Sequence, residues 1–259
     1  MIDPTAFVHP SAQIGRGTTI GRHAYIGENV IIGADCEIRP YATILGPTVL
    51  GDRNRVLQYA VLGDEPQDLG YRGEPTRLVI GHDNVFREHV TVHRGTVKGR
   101  SLTEIGNHNY LMVYAHVAHD CKLGDHITLV NYAGLSGHID VENHVIVGGY
   151  SGGHQFVRIG AYSFLSHACL IVLDAPPFML VAGGGEHPRV CGLNARGLQR
   201  HGFSAEEIMA LKKLYKIYYR SALSQADALA QIQTEIVPVC PRAQHFCDFV
   251  RASHRGVMR

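Results

Sequence analysis

Residues 14–29 read IGRGTTIGRHAYIGEN, with an isoleucine at every sixth position and a glycine directly after each isoleucine. The aliphatic spacing holds over residues 2–62 and returns over 80–92. It shifts by one residue inside 93–104 and resumes over 105–171. A period of six matches neither the 3.6-residue turn of a helix nor the two-residue period of an ordinary strand. The repeat therefore predicts a solenoid in which each unit is a short strand followed by a corner.

Small or β-branched residues occupy the position four after most of the aliphatic positions. They are Ala6, Ala12, Thr18, Ala24, Val30, Cys36, Ala42, Thr48, Ala60, Ala115, Cys121, Ala133, Ser151, Ser163, Cys169 and Ala175. Side chains of this size suit a narrow interior, so Cys36, Cys121 and Cys169 are expected to fill the core, and Cys121 receives no catalytic role. The glycines that follow the aliphatic positions suit tight corners.

The composition is that of a globular chain, with 259 residues, 45% hydrophobic and 18% charged, and a net charge of +1. No apolar run approaches the roughly 20 residues of a membrane span, and the amino terminus lacks both a basic start and an apolar stretch. The six cysteines have the spacing of neither a disulfide framework nor a zinc cluster. We therefore expect a cytoplasmic protein with no membrane span and no nucleic-acid partner.

Two segments interrupt the repeat and are expected to leave the solenoid as loops. Residues 63–79 are polar and rich in proline and glycine, and residues 93–104 carry the shift in spacing. Such excursions are either functional loops or plain surface loops. The solenoid is expected to end near the two prolines at 176 and 177, which gives a first domain of residues 1–177. Residues 178–259 are then a connecting segment, irregular to about residue 203, and a C-terminal helical domain.

The sequence SAEEIMALKKLYKIYYRSA at 204–222 predicts a helix that Ser204 caps together with the glutamate three residues on. Its apolar face comprises Ile208, Leu211, Leu214, Tyr215 and Tyr218. Two more helices are predicted at about 224–236 and 241–253. Residues 189–259 hold 11 Lys or Arg against 5 Asp or Glu. This basic tail is either a docking surface for an acidic partner or a solvated face.

The six-residue repeat resembles the hexapeptide-repeat acyltransferases. The resemblance implies a mainly β fold, a left-handed parallel β-helix with three faces and three repeat units in each coil, followed here by a small C-terminal α-helical domain. It also implies a homotrimer. Residues 18 apart would then stack at the interstrand spacing of about 4.8 Å.

The stretch AHVAHDCKLG at 115–124 sets two histidines beside a carboxylate. Alone it is compatible with a metal site, a general base with its orienting partner, or two surface histidines. With three repeat units in each coil, His119, Gly137 and Gln155 lie one above another. Three further polar residues converge on them within roughly 10 Å, namely His116, His138 and His154. A separate column on another face is either a metal site or a row of solvated imidazoles, and it comprises His108, His126 and His144.

Five strings narrow the resemblance, which covers nearly the whole chain. They are QDLGYRGEPTRLVIG at 67–81, VTVHRGTV at 90–97, AHVAHDC at 115–121, GGYSGGHQFVRIGA at 148–161 and GLNARGLQRHGFS at 192–204. In this order they resemble the UDP-N-acetylglucosamine acyltransferases that begin lipid A synthesis. The resemblance implies transfer of an (R)-3-hydroxyacyl group from acyl carrier protein to the 3-hydroxyl of the sugar, without metal, cofactor or covalent enzyme intermediate.

The resemblance also implies roles for individual residues. His119 matches the general base, and Gly137 matches the backbone donor to the thioester oxyanion. Asp120 orients or supports His119, a role left open because neighbours on a strand point to opposite faces. The positions that match substrate-binding residues are Gln67, Asp68, His93, His116, His138, His154, Gln155, Asn194 and Arg200. His167 lies where relatives that accept longer chains have glycine, so it is expected to shorten the preferred acyl chain.

Two residues depart from the better-known family pattern. Gly70 occupies a lysine position, and Arg196 replaces a glutamate that contacts the nucleotide. These departures affect the expected contacts with the sugar nucleotide. The acceptor is either the 3-hydroxyl of UDP-N-acetylglucosamine or the 3-amino group of an analogue. The rival hypotheses are a γ-carbonic-anhydrase-like zinc enzyme, which needs three convergent imidazoles, a glucosamine N-acyltransferase and a non-catalytic scaffold.

Overall fold

The computed structural model describes residues 1–183 and 188–259, and most of them form a three-faced β-helix. The first sheet contains β1 (Phe7–Val8), β4 (Tyr25–Ile26), β7 (Thr43–Ile44), β10 (Val61–Asp64), β13 (Thr91–His93), β16 (His116–Val117), β19 (Gly134–Leu135), β22 (Gly152–Gly153) and β25 (Leu170–Ile171). The second contains β2 (Gln13–Ile14), β5 (Val30–Ile32), β8 (Thr48–Leu50), β11 (Arg77–Ile80), β14 (Leu102–Ile105), β17 (Lys122–Leu123), β20 (Asp140–Val141) and β23 (Arg158–Ile159).

The third sheet contains β3 (Thr19–Ile20), β6 (Glu37–Ile38), β9 (Arg55–Val56), β12 (Val85–Phe86), β15 (Tyr110–Leu111), β18 (Thr128–Leu129), β21 (Ile146–Val147), β24 (Phe164–Leu165), β26 (Met179–Ala182) and β27 (Arg189–Leu193). Successive strands up to β25 pass from one sheet to the next, and the strands pair in parallel except for β26 with β27. The predicted coil of three repeat units is confirmed, since Phe7 pairs with Tyr25 and His116 with Gly134.

Most strands place an aliphatic side chain in the interior, as the repeat predicts, whereas β12 contributes Phe86 and β22 contributes only glycines. Ile26, Ile44, Leu62, Val92 and Leu135 are each fully buried. Burying side chains of this size stabilises the fold by about 1.5–3 kcal/mol each. The three predicted core cysteines are also buried, and burial raises the pKa of the Cys121 thiol to about 12, which keeps it unreactive.

The prediction that the glycines after the aliphatic positions form the tight corners was wrong. The left-handed corner positions are held by non-glycine residues such as Asp120, Tyr132 and His144, with φ near 60°. The glycine at 15, in contrast, has no positive φ, and a Cβ there would collide with the backbone of Gly33 one coil above. These glycines therefore allow coils to approach closely rather than allowing the chain to turn.

The two excursions lengthen the coils from which they leave. In a regular coil Thr43 pairs with Val61, whereas the next partner of Val61 is Thr91 and the next partner of Thr91 is His116. Strands β10, β11, β13 and β14 extend into both predicted excursions, so the irregular chain covers 65–76 and 94–101.

The C-terminal part contains the predicted helices, which are α2 (Ala205–Arg220), α3 (Gln225–Glu235) and α4 (Ala243–Arg251). The Ser204 capping box with Glu207 is formed. The prediction of an irregular stretch to residue 203 was wrong, because β26 extends the third sheet, β27 pairs antiparallel with it, and Asn194 caps the helix α1 (Ala195–Arg200). The division of the chain at residue 177 stays a prediction. No described helix is long and apolar enough to cross a membrane.

Candidate active site

His119 and Asp120 form a hydrogen-bonded pair at a corner between the first and second sheets. The His119 Nδ1 lies 2.9 Å from the Asp120 Oδ2, and both residues are buried. Asp120 has a φ of 60°, and this left-handed conformation lets its carboxylate lie against the preceding imidazole. The two side chains meet because they lie on a corner, not on a strand where neighbours diverge.

The second excursion supplies three further donors to Asp120. The Thr96 N–H and hydroxyl donate to Oδ2 at 3.0 and 2.7 Å, and the Arg100 N–H donates to Oδ1 at 2.8 Å. Burial alone would raise the pKa of the Asp120 carboxyl, but these bonds and the one to His119 outweigh it and lower the pKa. Asp120 is therefore an anion that fixes the orientation of His119.

Gly137 lies directly over the His119 ring, as its place one coil further along the chain predicts. A Cβ at this position would come within 2.5 Å of the imidazole Cε1. In the described part of the chain, no group accepts the Gly137 N–H. The glycine thus leaves both space and a free backbone donor beside the imidazole.

His93 and His116 lie on the first sheet and contact each other edge to face, with ring centroids 5.1 Å apart. The His116 Nδ1 pairs with the Thr91 hydroxyl at 2.7 Å. Burial lowers the pKa of His116 to about 4, and burial also lowers the pKa of His93. Both rings are therefore neutral near pH 7 and provide hydrogen-bonding atoms without charge.

His138 lies one coil above Asp120 and joins the same cluster. Its ring contacts His119 edge to face at 5.0 Å and stacks on Phe156 at 4.4 Å. Burial lowers its pKa, and its Nδ1 lies 3.9 Å from the Asp120 Oδ2.

The ligand atoms of His119, Asp120 and His138 lie within 4.8 Å of one another, close enough to hold a metal ion. The carboxylate already accepts four hydrogen bonds, however, and the His119 Nδ1 is one of its donors. A metal would have to displace this network. The arrangement fits an oriented base better than a metal ligand set.

The first excursion brings Asp68 to this cluster. The Gly70 N–H and the Lys98 ammonium lower the pKa of the Asp68 carboxyl, and nearby His119 acts in the same direction. Arg94 braces the loop, since it is buried and donates to the Tyr71 hydroxyl and to two backbone carbonyls. Gln67 is exposed on the same loop.

His154 and Gln155 are exposed at the same corner, two coils above His119. The His154 Nδ1 lies 2.9 Å from a guanidinium nitrogen of Arg255, a contact from the chain terminus that the sequence did not predict. His167 is exposed next to the corner between the third and first sheets, where its ring meets Tyr150 edge on at 5.6 Å.

Asn194 and Arg200 lie apart from these residues within the chain. They line a cavity with Arg196, Phe164 and Leu180, and the last two belong to the third sheet. In a three-sided helix the third sheet is opposite the corner that carries His119. Within one chain, the residues predicted for the base and the sugar therefore lie on one side of the β-helix. The two residues predicted to hold the nucleotide, Asn194 and Arg200, lie on the other side.

Sequence reasoning missed Thr96, Lys98 and Arg100. All three lie in the second excursion, whose polar sequence without periodicity gives no indication of which groups it approaches. The only signal was the length of the excursion itself.

Known proteins resemble the chain over its whole length. A family model described as Udp N-acetylglucosamine O-acyltransferase, domain 2, matches residues 174–258. The acyl-(acyl-carrier-protein)–UDP-N-acetylglucosamine O-acyltransferases of Syntrophobacter fumaroxidans and Halorhodospira halophila are 45% and 46% identical, covering 100% of this chain and 99% of their own.

Solved structures of such enzymes also resemble the chain over its whole length. LpxA from Acinetobacter baumannii has a TM-score of 0.95 at 42% identity, over 100% of this chain and 99% of that one. The Francisella novicida UDP-N-acetylglucosamine acyltransferase has a TM-score of 0.96 at 40% identity, over 100% and 94%. The predicted fold class, a left-handed parallel β-helix with C-terminal helices, and the predicted resemblance are both confirmed. The chain belongs to the acyl-(acyl-carrier-protein)–UDP-N-acetylglucosamine O-acyltransferase family of enzymes.

Proposed function

We propose that the protein transfers an (R)-3-hydroxyacyl chain from acyl carrier protein to the 3-position of UDP-N-acetylglucosamine, the first step of lipid A biosynthesis. His119 takes the proton of the sugar hydroxyl as its oxygen attacks the thioester carbonyl. The resulting oxyanion accepts a hydrogen bond from the Gly137 N–H. When the tetrahedral intermediate collapses, the C–S bond breaks and the leaving thiolate takes the proton back from the imidazolium.

The pair of His119 and Asp120 is the observation that carries this proposal. Because the anionic carboxylate accepts the Nδ1–H at 2.9 Å, the neutral imidazole keeps its lone pair on Nε2. Asp120 also stabilises the imidazolium that forms during attack. A base held in one tautomer and one orientation is what a weak hydroxyl nucleophile requires.

The sugar is proposed to bind between the first sheet and the two excursions. Asp68, with Gln67 beside it, accepts hydrogen bonds from sugar hydroxyls, while His116 and His138 line the pocket and His93 lies at its margin. His154 and Gln155 extend the same surface two coils above the base. The neutral state of His116 suits contact with an uncharged sugar ring.

A homotrimer is proposed because one chain divides the substrate-binding residues between opposite sides of the β-helix. Asn194 and Arg200 suit the nucleotide, since a guanidinium binds diphosphate oxygens at two points. These residues reach the sugar held near His119 only when the third sheet of one subunit faces the catalytic corner of the next. The nucleotide and its sugar would then bind across a subunit boundary.

The basic C-terminal tail is proposed as the docking surface for acyl carrier protein, which is acidic. Opposite charges speed such an encounter and make it dependent on salt. His167 is proposed to limit the acyl chain length. We place the reaction in the cytoplasm and expect no cofactor.

Purified protein would be given UDP-N-acetylglucosamine or its 3-amino analogue, with (R)-3-hydroxyacyl carrier proteins of several chain lengths. Transfer that is lost in His119→Ala and retained in His126→Ala supports the proposal. Product formed only with the amino sugar would replace ester transfer by amide transfer at the same site. No transfer with any pair, or equal transfer by His119→Ala, would refute it.

A further inference from the structure

The ammonium of Lys98 joins the two excursions across the mouth of the site. Its Nζ lies 3.2 and 3.1 Å from the two oxygens of Asp68. Asp68 Oδ1 also accepts the Gly70 N–H at 2.7 Å, whereas Oδ2 accepts only from Lys98 among the described residues. One carboxylate oxygen thus retains a free lone pair with a fixed direction.

The end of the Lys98 side chain occupies the space beside Gly70 into which a side chain at position 70 would project. A Cβ at position 70 would collide with the Lys98 Nζ and would lie 3.1 Å from the Asp68 Oδ1. The backbone of Gly70 is not in the left-handed region, so its conformation does not require glycine. The absence of a side chain at position 70 leaves room for the ammonium in the position from which it contacts Asp68.

The same short segment also holds the catalytic pair. Thr96 and Arg100, which flank Lys98, donate to the Asp120 carboxylate. A Cβ at Gly99 would come within 2.5 Å of the Asp120 carboxyl carbon and 2.6 Å of the His138 ring. Lys98 therefore extends from a backbone that is fixed against the catalytic corner, although its own side chain is 61% exposed.

We propose that Lys98 is a positioning residue of the acceptor site, which uses the space beside Gly70 to aim the free oxygen of Asp68 at a sugar hydroxyl. The inference rests on the proposed function, because it assigns Asp68 to the sugar. Lys98 acts through Asp68 and does not take part in proton transfer. Its loss therefore weakens acceptor binding more than it slows the chemical step.

The test is a double-mutant cycle on the full-length protein with Lys98→Met, Gly70→Ala and the double variant. Steady-state kinetics would give KM for the sugar nucleotide and kcat, with the acyl donor saturating. Lys98→Met keeps the stem length and removes the charge, and we expect KM to rise about fivefold while kcat changes less than about twofold. Lys98→Arg should recover most of the loss. Arg16→Met removes an exposed cation from the first coils and serves as the matched control.

The double-mutant cycle distinguishes one effect that Gly70 and Lys98 share from two independent effects. Gly70→Ala should raise KM about threefold, less than Lys98→Met does, because its Cβ shifts the ammonium of a flexible side chain without removing the charge. In the Lys98→Met background the same alanine should add less than about twofold. Multiplicative effects, or a KM unchanged in Lys98→Met, would overturn the inference. Absence of transfer by the wild-type protein would instead refute the proposed function.

Discussion

The β-helix carries two groups of histidines that differ in how their rings meet. His108, His126 and His144 stack face to face, 4.9 and 4.8 Å apart with interplanar angles of 9° and 5°. His119 and His138 instead cross at 85°, with a centroid distance of 5.0 Å. The stacked column follows the repeat of the coils without interruption. The crossed pair occurs where Gly137 takes the place of a ring above His119.

The comparison teaches that the repeat by itself produces columns, whereas the candidate site requires breaks in the repeat. Each ring of the stacked column lies on the next, and the last of them, His144, contacts Tyr162 and His201. The site has a glycine in one layer and two excursions that bring Thr96 and Asp68 to the corner. The same substitution made in each group of histidines tests whether this difference is functional.

The largest difference is expected from removing one imidazole in each group. His119→Ala should lower kcat by about 1,000-fold, since a positioned general base contributes about 10²–10⁴-fold. His126→Ala should change kcat less than about twofold. Initial rates with saturating acceptor and donor would measure both. Similar losses in the two variants would remove the distinction between the groups.

The second-largest loss of activity is expected from adding a side chain above His119. In Gly137→Ala the new Cβ would lie 2.5 Å from the His119 Cε1, so the ring must tilt away from Asp120. A base displaced by about 1 Å loses roughly 100-fold in kcat. Gly192→Ala is a control for stability, because a Cβ there meets nothing within 4 Å. If Gly137→Ala keeps the wild-type kcat and a thermal midpoint within a few degrees of the wild type, the close packing of Gly137 on His119 is contradicted.

The pH dependence of stability should reveal the buried histidines of the site. The pKa of His116 falls to about 4 in the folded state, below the usual value of about 6.5. Between pH 6.5 and 4 the unfolded chain takes up the proton first, so the free energy of unfolding falls, by about 2 kcal/mol after allowance for partial burial. His93 acts in the same direction.

Urea titrations at fixed protein concentration across this pH range would measure the effect. His116→Gln keeps a partner for the Thr91 hydroxyl but cannot titrate, so its curve should be flatter than that of the wild type by this amount. Parallel curves for the two proteins would show that His116 is not held neutral by burial.

What the sequence could and could not predict follows from the same contrast. The period of six predicted the repeat unit and the core, and the family resemblance implied three units in each coil. The placement of Gly137 over His119 then followed from counting one coil along the chain. The contacts of Thr96, Lys98 and Arg100 depend on the path of an aperiodic loop, which no spacing determines. The turn at Asp120 was missed for a related reason, since it was treated as part of a strand rather than as a left-handed corner.

The smallest expected effect concerns a histidine outside both groups. His167 is exposed and meets Tyr150 edge on, so it neither stacks in a column nor contacts the catalytic pair. If its ring blocks the acyl groove, His167→Gly opens space for about two further methylenes. Each buried methylene is worth about 0.8 kcal/mol, so the ratio of kcat/KM for the longer over the shorter donor should rise about 10-fold. Competition between two acyl carrier proteins that differ by two carbons would measure this ratio directly. An unchanged ratio would show that the groove lies elsewhere and that His167 belongs, like the stacked column, to the exterior of the repeat.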